Sequence, residues 1–201
     1  MARGSRYRVQ LRRRREGKTD YQARKALVLS GRLRLVARNT LKNISAQIIV
    51  AKAHGDEVLA AAHSGELRKK YGWKGPTGNV PSAYLTGLLC GLKAKKAGVN
   101  EAVLDLGLIA PTKGSRIFAA LSGVVDAGIE VPHSEEKIVK ERTKGEHIST
   151  YGKSLGAGSE VYSAKFSMYL GQGLSPEKLP EHFSKVKADI ISSFKSEGQK
   201  A

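Results

Sequence analysis

Leu33-Arg34-Leu35-Val36-Ala37-Arg38 alternates apolar and basic residues. A polar turn over Asn39 to Asn43 follows, and then the return run Ile44-Ser45-Ala46-Gln47-Ile48-Ile49-Val50. Alternation at period two sends one set of side chains to a core and the other to the opposite face. Two such runs across a short polar turn specify an antiparallel hairpin. His54-Gly55-Asp56 makes a second tight turn into Val58-Leu59-Ala60-Ala61-Ala62. The expected nucleus of the fold is therefore a three-stranded meander with Arg34 and Arg38 together on one face.

Downstream of the meander, Ser64 is placed to cap a short helix over 65–71, before a breaker-rich loop from Gly72 to Asn79. Pro81 then opens a helix to about Ala97, with Gly98 as its stop. Ala83, Gly87 and Gly91 fall four apart on that helix. Mid-helix glycine costs ~1 kcal/mol relative to alanine, so three small residues in register predict a backbone packed closely on a sheet or another helix. Ala102 to Gly107 reads as a fourth strand, Ile117 to Ala127 as a helix stopped by Gly128, and Ile129 to Pro132 as a short fifth strand. The order β-β-β-α-β-α-β predicts an α/β fold: a three-layer domain over 32–132 with a mixed five-stranded sheet and ribonuclease H-like topology.

Two flanking segments complete the chain. Residues 1–31 are expected to form a basic arm, extended in isolation to about Lys18, followed by a short helix that Thr19 or Asp20 caps and Gly31 ends. In residues 133–201 a polar helix is expected over 135–142, a glycine-rich stretch over 145–158 and an ambiguous piece over 161–170. The last element is an amphipathic helix from about Pro180 to Lys195, with Phe183, Val186, Ile190, Ile191 and Phe194 on one stripe. This extension has too few apolar residues for a core of its own and should wrap the first domain or a partner.

Charge is distributed unevenly. Residues 1–42 carry +12 of the formal +17. Four consecutive arginines, Arg12 to Arg15, cannot be buried without partners, so they need water or a polyanion. Guanidinium groups match phosphate geometry, and Tyr7 and Tyr21 interleave with them, a combination suited to irregular RNA. The arm lacks the apolar face of an interfacial membrane helix. No run approaches the roughly 18–20 apolar residues of a membrane span, and no secretory pattern follows the arginines. One cysteine, Cys90, excludes an internal disulfide and fits a reducing cytoplasmic compartment.

Catalytic readings find little support. Two-metal phosphodiester cleavage needs several carboxylates on neighbouring strands; Asp105 occupies one such position, but the first strand offers Arg34 and Arg38 instead. Asp105 is therefore read as a structural hydrogen-bonding residue, and the rival functions are a ribonuclease H-like metal-dependent nuclease and a basic module that binds RNA without a fixed partner. The loop from Gly107 to Ser115 lacks the Gly-Lys-Ser/Thr ending of a phosphate-binding Walker loop. It leaves two readings open: an ordinary loop and cap, or an RNA phosphate held by Lys113, Ser115, Arg116 and the amides that open the following helix. His54, His63, His133, His147 and His182 have no metal-site spacing, so neither metal nor cofactor is expected. Lys70, Trp73 and Lys74 lie in an aromatic, basic and glycine-rich segment. There Trp73 reads equally as a base-stacking platform or as a plug at the domain edge.

Several blocks together resemble a known family. They are Arg12-Arg13-Arg14-Arg15-Glu16 with Thr19-Asp20-Tyr21; Arg34-Leu35-Val36-Ala37-Arg38; Tyr71-Gly72-Trp73; Pro76-Thr77-Gly78-Asn79-Val80-Pro81-Ser82-Ala83-Tyr84-Leu85-Thr86-Gly87-Leu88-Leu89; Ala102-Val103-Leu104-Asp105-Leu106-Gly107; and Leu179-Pro180-Glu181-His182-Phe183. They resemble the archaeal and eukaryotic form of large-subunit ribosomal protein eighteen, a 5S rRNA-binding family. The resemblance implies a non-catalytic constituent of the large subunit that attaches 5S rRNA to large-subunit rRNA in the central protuberance, beside neighbouring ribosomal proteins. It implies leader contacts from Arg6, Tyr7, Arg8 and Arg12 to Arg15, hairpin contacts from Arg38, Asn39 and Lys42, and loop contacts from Lys113, Ser115 and Arg116. Arg3, Lys18, Arg24, Arg34, Lys70, Trp73 and Lys74 complete the candidate RNA-binding set.

Overall fold

A computed structural model describes residues 4–156 and 158–198. The meander forms as three antiparallel strands, β1 (Arg34–Asn39), β2 (Ile44–Lys52) and β3 (Gly55–His63). A short parallel strand, β4 (Val103–Asp105), joins β1 on its other side, giving the order β3-β2-β1-β4. The β1–β2 register pairs Leu35 with Ile48 and Ala37 with Ala46, so the alternating apolar residues share one face. Leu35, Ala37, Ala46 and Ile48 on that face are all fully buried.

The fifth strand does not form. Residues 129–132 make a single parallel bridge, Glu130 opposite Glu101, in which the Glu130 N–H donates to Asn100 O (2.8 Å) and the Ala102 N–H to Glu130 O (3.0 Å). On one side of this bridge the Ile129 N–H is drawn back to Val124 O, closing the preceding helix; on the other, Pro132 has no N–H to donate.

Helices occur throughout the rest of the chain. Ahead of the sheet lie α1 (Arg12–Arg15) and α2 (Tyr21–Leu29). Between β3 and β4 come α3 (Ser64–Tyr71) and α4 (Val80–Lys96), and after β4 comes α5 (Arg116–Asp126). The C-terminal part holds α6 (Lys140–Lys144), α7 (Glu146–Leu155), α8 (Glu160–Lys165), α9 (Ser167–Leu170) and α10 (Leu179–Gly198). The polar helix expected over 135–142 is split into a 3-10 turn at Glu135–Lys137 and α6. The glycine-rich stretch is more ordered than its composition suggests, because α7 turns Ile148 and Leu155, seven residues apart, toward the core.

Local chemistry explains the helix starts. Asp20 Oδ1 accepts from the Gln22 and Ala23 N–H groups at 2.9 and 3.2 Å, and Asn79 Oδ1 accepts from Ser82 N–H at 2.9 Å. The cap of α3 is His63 rather than Ser64. Its Nδ1 accepts from Gly65 N–H (3.0 Å) while Glu66 accepts from the His63 N–H (3.0 Å), a reciprocal box in which a ring nitrogen replaces the usual hydroxyl.

The small-residue stripe of α4 meets α5. A Cβ added at Gly87 would lie 1.9 Å from Ala120 O, and one added at Gly123 would lie 2.1 Å from Tyr84 O. The two backbones therefore touch directly. The C-terminal elements continue this core: Tyr162, Phe166, Tyr169, Phe183, Val186 and Ile190 belong to the same buried cluster as Leu35 and Leu85. His182 stacks on Trp73 with ring centroids 5.2 Å apart, and its Nε2 accepts the Lys74 N–H at 3.1 Å, so α10 is pinned to the loop ahead of α4.

Candidate nucleic-acid interface

The face of the sheet opposite the apolar one carries a row of ion pairs. Asp56 lies 2.9 Å from Arg24 Nη2 and 2.9 Å from Arg34 Nη2. Asp105 lies 3.4 Å from Arg34 Nη1 and 2.8 Å from Arg38 Nη2. The chain Arg24–Asp56–Arg34–Asp105–Arg38 thus ties α2 to β3, β1 and β4. Burial works against the Asp56 charge, but the hydrogen bonds and charges of Arg24 and Arg34 outweigh it and hold that carboxyl below its ordinary range. Both carboxylates are spent on guanidinium groups. Among the described residues no group of three His, Cys, Asp or Glu side chains is placed to hold a metal ion.

This geometry divides the candidate residues. Arg6, Tyr7, Arg8 and Arg12 to Arg15 are exposed along the arm. Far from remaining extended, residues 12–15 form the single turn α1. Glu16 lies 3.8 Å from Arg12 and 2.9 Å from Lys18, and Arg13 Nε donates to Thr19 Oγ1 at 2.8 Å. Arg3 lies outside the described residues. Lys42, Lys70, Lys74 and Lys113 are exposed on the body.

Two candidates are placed differently. Arg34 is 1% exposed and is committed to Asp56 and Asp105; Trp73 is 1% exposed and donates its Nε1–H to Pro76 O at 3.2 Å. Neither presents a surface to a nucleic acid in this fold. Trp73 is the plug of the two readings, covered by the His182 ring. Its indole is buried because α10, more than a hundred residues away in sequence, closes over it, and no local pattern announces that.

Arg38 keeps a side chain 39% exposed while donating to Asp105 Oδ1, Asp105 O (2.6 Å) and Ala37 O (2.9 Å). It stands on the wall of a cleft of about 1090 Å³ between α2 and the β4 loop, with Arg13 and Lys18 also lining it above Leu104, Leu106 and Leu108. The opening of α5 is built as a second recess, about 480 Å³, which brings Asn39, Ser115 and Arg116 together with Asn79, Arg142 and His147. Arg116 Nη1 donates to Thr40 O (3.0 Å) and Gly78 O (3.1 Å), so it braces the β1–β2 turn from behind. Burial first and the Arg142 charge second depress His147 below its ordinary pKa. Arg142 and His147 were absent from the sequence-based set, since nothing in the polar 133–158 stretch signals that it folds back beside α5.

Comparison with known proteins gives a consistent result. The family described as "Ribosomal large subunit proteins 60S L5, and 50S L18" matches residues 5–101 and 92–134. The large ribosomal subunit protein uL18 of Staphylothermus marinus is 51% identical over 197 residues, covering 97% of this chain and 98% of that protein. The large ribosomal subunit protein uL18 of Aeropyrum pernix is 52% identical over 197 residues, covering 97% of this chain and 92% of that protein. With matches that run from the basic arm through the sheet and into the C-terminal helices, the chain belongs to the ribosomal large-subunit protein family of 60S L5 and 50S L18.

Proposed function

We infer that this chain is a structural, non-catalytic constituent of the large ribosomal subunit that binds 5S rRNA and helps attach it to large-subunit rRNA in the central protuberance. The observation that carries this reading is the concentration of charge in residues 1–42, which hold +12 of the formal +17. Arg6, Arg8, Arg12 to Arg15 and Lys18 are exposed on the arm, and the arm is mounted on a body where Asp56 and Asp105 are already neutralised by arginines. Phosphate contacts come from Arg6, Arg8, Arg12 to Arg15 and Lys18 on the arm, from Arg38 and Lys42 on the body, and from Lys113 at the α5 loop. Tyr7, 54% exposed, is available for stacking. Arg34 and Trp73 act indirectly, as the posts that hold β1 and α10 in place. The α/β order supports a ribonuclease H-like arrangement in which residues 129–132 stand where a fifth strand would be. A nuclease is disfavoured because Asp105 is held between Arg34 and Arg38. No helix among the described residues is long and apolar enough to cross a membrane; a place on cytoplasmic ribosomes beside other large-subunit proteins follows from the family.

The test is direct. The tagged full chain, expressed in a cell whose ribosomes accept it, should recover 5S rRNA stoichiometrically from salt-washed large subunits. Recovery of large-subunit rRNA with 5S rRNA absent would refute the 5S assignment.

A further inference from the structure

Leu41 is 96% exposed, the most exposed large apolar side chain among the described residues. It stands at the tip of the β1–β2 turn, and that turn is clamped from behind. Thr40 N–H donates to Asn43 O at 2.8 Å, and Thr40 Oγ1 accepts the Asn43 N–H at 3.0 Å. The Thr77 hydroxyl donates to Lys42 O at 2.7 Å, and Arg116 donates to Thr40 O at 3.0 Å. Gly78 sits so close beneath the tip that a Cβ there would lie 2.8 Å from Leu41 O. The side chain is therefore held out by a fixed backbone, not left on a loose loop.

An isolated apolar side chain on a surface often means nothing. Here three features favour an occupant: the anchoring of the tip, the exposed Lys42 next in sequence, and the polar residues Thr40 and Asn43 around it. A protein partner would call for a contiguous apolar patch. A single apolar prong beside a cation instead suits RNA, where it enters between splayed bases while the cation takes the adjoining phosphate. We propose that Leu41 is an apolar wedge that inserts against an unstacked base of the bound RNA, with Lys42 on the neighbouring phosphate. This rests on the RNA-binding reading above and adds a contact whose strength does not depend on salt.

The experiment uses the full chain and a 5S rRNA transcript, with affinity measured across a salt series. Leu41→Ser should weaken binding about tenfold while leaving the slope of log affinity against log salt unchanged. Lys42→Gln should flatten that slope by about 0.7 to 0.9. Chemical probing should show one or two bases made reactive by the wild-type chain and not by Leu41→Ser. Unchanged affinity for Leu41→Ser, a changed slope, or no base made reactive would overturn the wedge. Normal RNA binding by Leu41→Ser with poorer incorporation into subunits would also overturn it, in favour of a protein pocket. If the wild-type chain itself fails to bind, it is the parent RNA-binding reading that falls.

Discussion

Arg34 lies between two carboxylates with 1% of its surface exposed. Removing one member of a buried ion-pair chain leaves the others with uncompensated charge, which typically costs about 3–5 kcal/mol. Asp56 and Asp105 each keep a second arginine, so Arg34→Met is expected at the lower end, about 3 kcal/mol of destabilisation by chemical denaturation. Because its guanidinium is enclosed, the same substitution should leave the salt slope of RNA binding unchanged. Alternation in β1 correctly put Arg34 and Arg38 on one face. What it could not convey was that Asp56 and Asp105 arrive from β3 and β4 to enclose one arginine and leave the other partly open. His182 gives the second residue-scale prediction. Burial first, then the Lys74 and Lys185 charges, hold its folded pKa below the ordinary 6.5. The unfolded chain therefore takes up the proton more readily, and the stabilisation is complete above about pH 6.5 and is lost as pH falls through the folded value. Thermal stability should drop on acidification below that point. His182→Phe, which keeps the stack on Trp73 but cannot titrate, should show a shallower drop, with His147 and, at lower pH, the depressed Asp56 and Glu66 carboxyls supplying the remainder. An unaltered pH profile for His182→Phe would remove this ring from the account.

At the scale of elements, the α4–α5 contact dominates the core. The four-residue spacing of Ala83, Gly87 and Gly91 was legible as a close-approach stripe, but the identity of its partner was not. Gly123 of α5 is the complementary notch, and it becomes recognisable only once Tyr84 O is seen above it. Alanine at position 87 would gain about 1 kcal/mol in helix propensity. Against that, its Cβ would meet the Ala120 carbonyl at 1.9 Å, and backbone cannot rotate aside as a flexible side chain can. The clash wins. Gly87→Ala should destabilise the protein by about 3 kcal/mol, the upper end of overpacking costs, whereas Ala83→Gly should cost only about 1 kcal/mol plus the lost methyl contacts. Comparable denaturation midpoints for the two variants would show that the helices slide apart to accommodate the methyl group. The helix start at Asp20 was similarly readable, because its side chain bonds within three residues; the cap at Asn79 follows the same rule, but the sequence reading placed that start on Pro81 instead. The cap reading failed where another chemistry filled the role, as at His63, and the fifth strand failed where pairing ran out, as at Pro132.

For the molecule as a whole, the sequence announces the arm better than its mounting. Charge is a property of composition, so +12 in 42 residues is visible without any structure. The path by which α10 returns to cover Trp73, and by which Arg142 reaches the α5 loop, depends on contacts between residues far apart in sequence and leaves no periodic trace. The resulting organisation separates two contributions that RNA-binding measurements can tell apart. If the arm supplies most of the phosphate contacts, removing residues 1–18 should weaken binding to a 5S rRNA transcript sharply at low salt and much less at high salt. Each neutralised phosphate contributes about 0.7 to 0.9 to the log–log salt slope. Changing Arg12 to Arg15 together to glutamine should therefore reduce the magnitude of that slope by about 3, while leaving the fold intact, because all four side chains are exposed and none joins the buried cluster. A truncated chain that keeps the full slope would place the phosphate contacts on the body, at Arg38, Lys42 and the α5 loop, and would reduce the arm to a solvated tail.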